Sequence, residues 1–237
     1  MDKQRGRLYL IPTPVIENGL HTLSPEVIRV IHTVDYFIVE SARTSRRLVS
    51  STKPPIPVDQ MIFEEMPKSG FDGSMVRKLL EPLMQGRNIG IMSEAGLPAV
   101  ADPGHLFVLK AQEMGVMVTP LAGPSSIMMA LMASGLEGQR FSFHGYLSAK
   151  KPELRSQLIE LVKRAEKDKA TQIFIETPYR NHQIMQAVEE HVQAGRLFCI
   201  AAGIGNEDGF VITKKVGEWK KSGWPQIHKV PAVFLIG

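Results

Sequence analysis

Four times along the chain, a capping or turn residue followed by proline heads a helix-length periodic stretch: Ser24-Pro25, Asp102-Pro103, Gly123-Pro124 and Thr177-Pro178. Proline suits the first helical turn because its missing N–H would have had no partner there. Gly115, Gly135 and Gly195 stand where three of these helices should close. Between the periodic stretches lie apolar runs of strand length, at 8–12, 36–40, 88–93, 116–121, 141–146, 171–176, 197–202, 209–215 and 232–237. Strand, short loop, helix, strand is the pattern of an α/β chain with largely parallel sheet. The early runs are apolar throughout, as strands covered on both faces should be. The last three crowd together with only "VGEWKKSGWP" as helix between them, which predicts antiparallel pairing and a mixed second sheet. Two α/β domains are therefore expected. The polar stretch "GYLSAKKPE" marks the boundary, giving domains 1–146 and 147–237.

Several classes are set aside by composition. No apolar stretch approaches the roughly 18 residues of a membrane span, and the opening "MDKQRGRLYLIPTP" has no signal-peptide core. A single cysteine, Cys199, excludes an internal disulfide and fits a reducing cytoplasm. The histidines are scattered; His182 and His191 are not at ligand spacing, and neither HExxH nor CxxC occurs, so no metal is expected. The net charge of +4 is compatible with nucleic acid or another anionic partner.

Three loops carry chemistry. "SEAGLPAVADPG" (93–104) follows a strand and precedes a helix, where ligands of open α/β sheets bind. Its glycines permit close backbone approach, its prolines pre-set its shape, and Glu94 and Asp102 can accept hydrogen bonds. A ligand with ribose hydroxyls and positive charge would suit it; a triphosphate, with no P-loop lysine to meet it, would not. Asp102 is also placed to cap the next helix. "LAGPSSIMMALMASGL" (121–136) offers bare backbone at Gly123 and hydroxyls at Ser125 and Ser126, while Ile127, Met128, Met129, Leu131 and Met132 read as core. "VESARTSRRL" (39–48) sets Glu40 at a strand end, with Arg43, Arg46 and Arg47 on the following helix. Arg43 shares a face with each of the other two. Arginines beside a carboxylate could hold a phosphodiester, or be no more than a solvated helix face.

Taken in order, these stretches resemble the tetrapyrrole methylase superfamily. "SEAGLPAVADPG" is similar to its S-D-A-G-x-P-x-x-x-D-P-G, and "AGPSSIMMALMASGL" to P-G-P-S-A-x-x-x-A-L-x-x-S-G-L. "FSFHGYL", "FIETPYR" and "VPAVFLIG" follow F-x-F-x-G-F-L, F-Y-E-S-P-H-R and the usual final strand, and "IPTP" and "VESARTSRRL" the first two strand ends. The nearest likeness is to the type that 2'-O-methylates a cytidine of small-subunit ribosomal RNA. The resemblance implies an S-adenosylmethionine-dependent methyltransferase of two α/β domains, a donor cleft between them, and a cytoplasmic homodimer acting in rRNA processing. It puts donor contacts on Pro12, Ser93, Glu94, Ala95, Gly96, Pro98, Asp102, Pro124 and Ser125, and from the second domain on Tyr179, Ala202, Pro231 and Ala232. It puts substrate contact on Glu40, Arg43 and Arg46, with Glu40 and Arg43 at the chemistry.

Departures from the pattern gather on the substrate side. The first loop reads "TPVIENGLHTL" against T-P-I-G-N-L-x-D. Ser41 and Ala42 replace the central pair of E-D-T-R, "FEEMPKSG" stands for H-E-H-N-E, and "AAGIGNED" for R-E-L-T-K. Other acceptors thus stay open, a small molecule or a tetrapyrrole among them, as does a non-catalytic donor-binding module. The ring-methylating branch usually carries a glycine-rich loop after strand one, which "PTPVIENG" lacks.

Overall fold

The computed structural model describes residues 5–67 and 72–237. The chain divides into two compact units, Met1–Ser125 and Ser126–Gly237.

The first unit holds β1 (Arg7–Leu10), α1 (Pro25–Ile31), β2 (Tyr36–Val39), α2 (Ala42–Ser51), β3 (Ile62–Glu65), α3 (Gly73–Met84), β4 (Ile89–Met92), α4 (Gly104–Glu113) and β5 (Met117–Pro120). Its sheet has the order β3-β2-β4-β1-β5, and every pairing is parallel. Side chains alternate between two cores. Phe37 and Val39 join Val27, Val30 and Ile31 of α1 and Val49 of α2 on one face. Tyr36 and Ile38 join Leu80 and Leu83 of α3 and Phe107 of α4 on the other. Helices thus cover both faces, which is why the strands read as unbroken apolar runs.

The second unit holds α5 (Ser126–Ser134), β6 (Phe141–Tyr146), α6 (Lys151–Asp168), β7 (Thr171–Glu176), α7 (Asn181–His191), β8 (Leu197–Ala202), β9 (Phe210–Lys215), α8 (Val216–Ser222) and β10 (Ala232–Ile236). Its sheet runs β6-β7-β10-β8-β9; β6 is parallel to β7 and the other pairings are antiparallel, the expected mixed sheet. Phe174, Phe198 and Phe234 stack on the face covered by α6, α7 and α8. Ala130 and Leu131 of α5 cover the other, against Cys199, Val233 and Leu235.

Several sequence expectations shift. The unit boundary falls at 125/126 rather than 146/147, because β6 pairs with β7 and α5 packs under the second sheet. The strand β3 was not anticipated. Gly195 does not close α7, which ends at His191 with an extended C-cap at Val192. Gly115 and Gly135 do follow their helices, at φ +66° and +71°. Of the five α5 residues read as core, only Leu131 is buried, while Met128 and Met132 are exposed. Among the described residues, no helix is long and apolar enough to cross a membrane, and no group of three or more metal-ligating side chains is gathered.

Candidate functional site

The connections of the first sheet place its site. From β1 the chain passes to α1 on one face; from β4, the neighbour of β1, it passes to α4 on the other. Adjacent strands whose crossovers leave in opposite directions open a crevice at their carboxyl ends. Residues 12–13, 40, 93–104 and 121–125 all lie at these ends.

Backbone pairing stitches the crevice. Thr13 and Gly96 exchange both N–H···O bonds, at 2.9 and 3.1 Å, bridging the loops after β1 and β4. Gly96 sits at φ +80°, which favours glycine. Pro12 is packed against Gly123, where an added Cβ would lie 2.2 Å from the proline Cβ. The loop after β5 is thereby pressed onto the end of β1. Thr13 is 2% exposed, and its Oγ1 is buried without a hydrogen-bond partner, an arrangement costly enough to call for a partner from outside the chain.

Carboxylates dominate the crevice. The Glu94 N–H donates to Glu40 Oε2 at 2.6 Å, so Glu40 at the end of β2 anchors the loop after β4. Burial pushes the Glu40 carboxyl up; the Glu94 amide opposes this, while the charges of Asp102 and Glu94 add to the rise. Asp102 is pushed up too, again by burial first, against hydrogen bonds from the Gly104 and Ala99 amides. Its Oδ1 accepts from Ala99 N at 2.9 Å and Gly104 N at 2.6 Å. Asp102 therefore shapes the loop and does not stand as the N-cap of α4, a position taken by Pro103. It holds Ala99 and Ala101 at φ +66° and +64°, left-handed values that cost a non-glycine residue energy. Two partly buried acids, with exposed Glu94 beside Glu40, suit a cation.

Ser93 is buried and Glu94 and Ala95 are exposed, all three lining a cavity of about 580 Å³. Pro98 instead lines an apolar cavity of about 390 Å³ with Leu97, Val108 and Leu109. Pro124 lies against Gly96, its carbonyl 3.6 Å from an added Cβ there. Ser125 follows it at the end of this unit.

The arginines separate. Arg46 stacks on Phe63, its guanidinium carbon 4.7 Å from the ring centroid. Arg43 is exposed. Arg47 lines the larger cavity, and neither of the other two does. The changed "ESAR" still starts its helix well: Ser41 accepts from Thr44 N, and Glu65 takes the Ala42 amide at 2.7 Å. Glu65 belongs to "FEEMPKSG", whose residues 68–70 lie outside the described residues. Thr13 and Glu65 were not singled out from sequence, and Arg47 was named only as sharing a helix face with Arg43. Only Arg47 carried a signal, its four-residue offset from Arg43.

In the second unit, Ala202 and Ala232 pair across β8 and β10, and Ala232 faces Glu176 on β7, so the three form one row. Gly203 N donates to Pro231 O at 2.9 Å. Tyr179, 69% exposed, meets His228 edge-on at 6.0 Å. Buried Asn181 ties the segment down, its Nδ2 donating to Ile227 O at 2.8 Å and Val230 O at 2.7 Å. Tyr179, Ala202, Pro231 and Ala232 are thus drawn together at one end of this sheet. The tight turn after β8, where an added Cβ on Gly209 would lie 2.1 Å from Gly203 O, carries exposed Glu207 and Asp208.

An all-parallel, doubly wound sheet followed by a mixed sheet is a fold that solved methyltransferases also have. The chain aligns with diphthine synthase at TM-score 0.70 and 14% identity, covering 98% of this chain and 89% of that one. It aligns with uroporphyrin-III C-methyltransferase from Thermus thermophilus, complexed with S-adenosyl homocysteine, at TM-score 0.55 and 17% identity, covering 98% and 97%. Residues 7–219 match the family of tetrapyrrole (corrin/porphyrin) methylases, and the chain belongs to that family. It is 34% identical over 185 residues to the ribosomal RNA small subunit methyltransferase I of Bacillus subtilis (strain 168), covering 78% of this chain and 59% of the relative. The chain spans about three fifths of the length of the first curated relatives it matches.

Proposed function

We propose that the protein is an S-adenosylmethionine-dependent methyltransferase that 2'-O-methylates a cytidine of small-subunit ribosomal RNA. The observation that carries the reading is the convergence of Glu40, Glu94 and Asp102 on the switch-point crevice. Family membership and the likeness to a ribosomal RNA methyltransferase support it. S-adenosylmethionine supplies an electrophilic methyl on a cationic sulfur, and its amino group adds a second positive charge. The acids complement both. Gly96 and Gly123 let backbone approach. Ser93–Gly96, Pro98, Asp102, Pro12, Pro124 and Ser125 hold the donor in the first unit; the resemblance adds Tyr179, Ala202, Pro231 and Ala232 as donor contacts.

In the transfer, the acceptor 2'-oxygen bonds to the methyl carbon as the carbon–sulfur bond breaks, with the bonding pair leaving on sulfur. The hydroxyl proton passes to Glu40. A carboxyl raised above its ordinary value is a better base near neutrality than a solvated one. Alignment and exclusion of water account for the rest. The resemblance also carries the expectation of a homodimer, which sedimentation velocity on the purified protein tests. The functional test is Glu40→Gln. Turnover should fall roughly 100-fold or more and donor affinity far less, through the loss of one of the three complementary charges; equal losses in both would remove Glu40 from the chemistry.

A further inference from the structure

The cavity of about 580 Å³ in the first unit has a lining the donor residues do not explain. It shares only Ser93–Ala95 with the donor loop; Gly96, Pro98, Asp102 and Pro124 lie off it. Its other walls are the loop after β1, from Thr13 to Leu20, and the outer face of α2. Its size is within the range of about 300–1,000 Å³ common for small-ligand pockets.

The walls are preformed and rich in hydroxyls. Pro14 and Ile16 close over Gly19, where an added Cβ would lie 2.7–2.8 Å from their side chains. Asn18 turns the chain at φ 54°. Thr13, Thr44, Ser45, Ser51 and Ser93 supply hydroxyls, Thr13 with an unpartnered oxygen. Among the described residues, Arg47 is the one cation on the lining, set against Glu17 and Glu94. One guanidinium fits one phosphate. An acceptor bearing many carboxylates, such as a tetrapyrrole, would meet two acids with a single arginine to offset them. A nucleotide asks less of that lining: its one phosphate meets Arg47, and its sugar hydroxyls can donate to Glu17 and Glu94.

We infer that this cavity receives the acceptor nucleotide, with Arg47 gripping a phosphate of its chain and the Thr13–Glu94 wall facing its sugar. This deepens the proposed function and rests on it. It moves the phosphate contact from Arg43 and Arg46 to Arg47. The shared wall at 93–95 sets the acceptor beside the donor loop, as an in-line transfer needs.

The test separates the two readings. Purified full-length protein, saturated with S-adenosyl homocysteine, is titrated with a short cytidine-containing single-stranded RNA at several salt concentrations. Arg47→Gln should weaken RNA binding about tenfold and lower the salt slope by about 0.7. S-adenosyl homocysteine affinity should stay within about twofold. Ser51→Trp, on the exposed rim and so tolerable to the fold, should block RNA equally by filling the cavity. RNA binding unchanged in both variants, or no RNA binding by the wild type, would overturn the assignment. Wild-type RNA binding that both variants abolish, without any methyl transfer, would sustain the cavity and discard the activity.

Discussion

At the residue scale, the crevice acids trade stability for charge complementarity. Glu40 and Asp102 both have carboxyls raised in the fold, chiefly by burial. Their contribution to stability is full below the ordinary carboxyl value and is lost as pH rises through the raised one. Glu40→Gln keeps an acceptor for the Glu94 amide and removes the buried charge, so its ligand-free melting temperature at neutral pH should be no lower than wild type. The rise in melting temperature produced by S-adenosylmethionine should shrink as pH falls through the raised carboxyls, because protonation removes the charges that meet the donor. Melting curves with and without donor across pH check both, and a donor shift that grows in acid would contradict the electrostatic account. Gly123 gives a packing prediction: Gly123→Ala sets a Cβ 2.2 Å from Pro12, a rigid ring. It should cost about 1–3 kcal/mol in denaturant unfolding and weaken donor binding. The glycine-bearing crevice loops were legible because glycine and proline announce such backbone demands. Arg47 was not, since three arginines on one helix look alike until packing puts Arg46 on Phe63 and Arg47 at the cavity.

At the element scale, strands were readable wherever both faces are covered. β3 escaped because "IFEE" lies at a sheet edge and buries only Phe63, so two acids in four residues are tolerated. The mixed second sheet followed from closely spaced runs at the end of the chain. The unit boundary did not, because the "FSFHGY" run has the same apolar character whichever sheet it joins; register alone gives β6 to β7. α5 misled for a related reason: its methionines look like core, yet the sheet is met by Ala130 and Leu131. The helix starting at Asn181 carries a prediction of its own. Its buried amide satisfies two carbonyls of the segment before β10. Asn181→Leu should cost about 2 kcal/mol or more, read by denaturant unfolding, because those carbonyls would be left buried without donors. Donor affinity should fall with it if Pro231 and Ala232 contact the donor.

At the scale of the whole molecule, each unit presents its candidate residues at strand ends: acids and glycine-bearing loops in the first, the Ala202–Ala232 row with Pro231 and Tyr179 in the second. The first set has the charge to meet a cationic, ribose-bearing donor. The loops that depart from the family pattern retain local structural logic, as the Ser41 cap of α2 illustrates. The central claim, methyl transfer to small-subunit ribosomal RNA, is tested most directly by mixing the purified protein with methyl-labelled S-adenosylmethionine and undermodified small ribosomal subunits, beside a small-molecule extract. The account predicts label in the RNA, at a cytidine 2'-oxygen. Label confined to the extract, or none anywhere while the donor still binds, would contradict it.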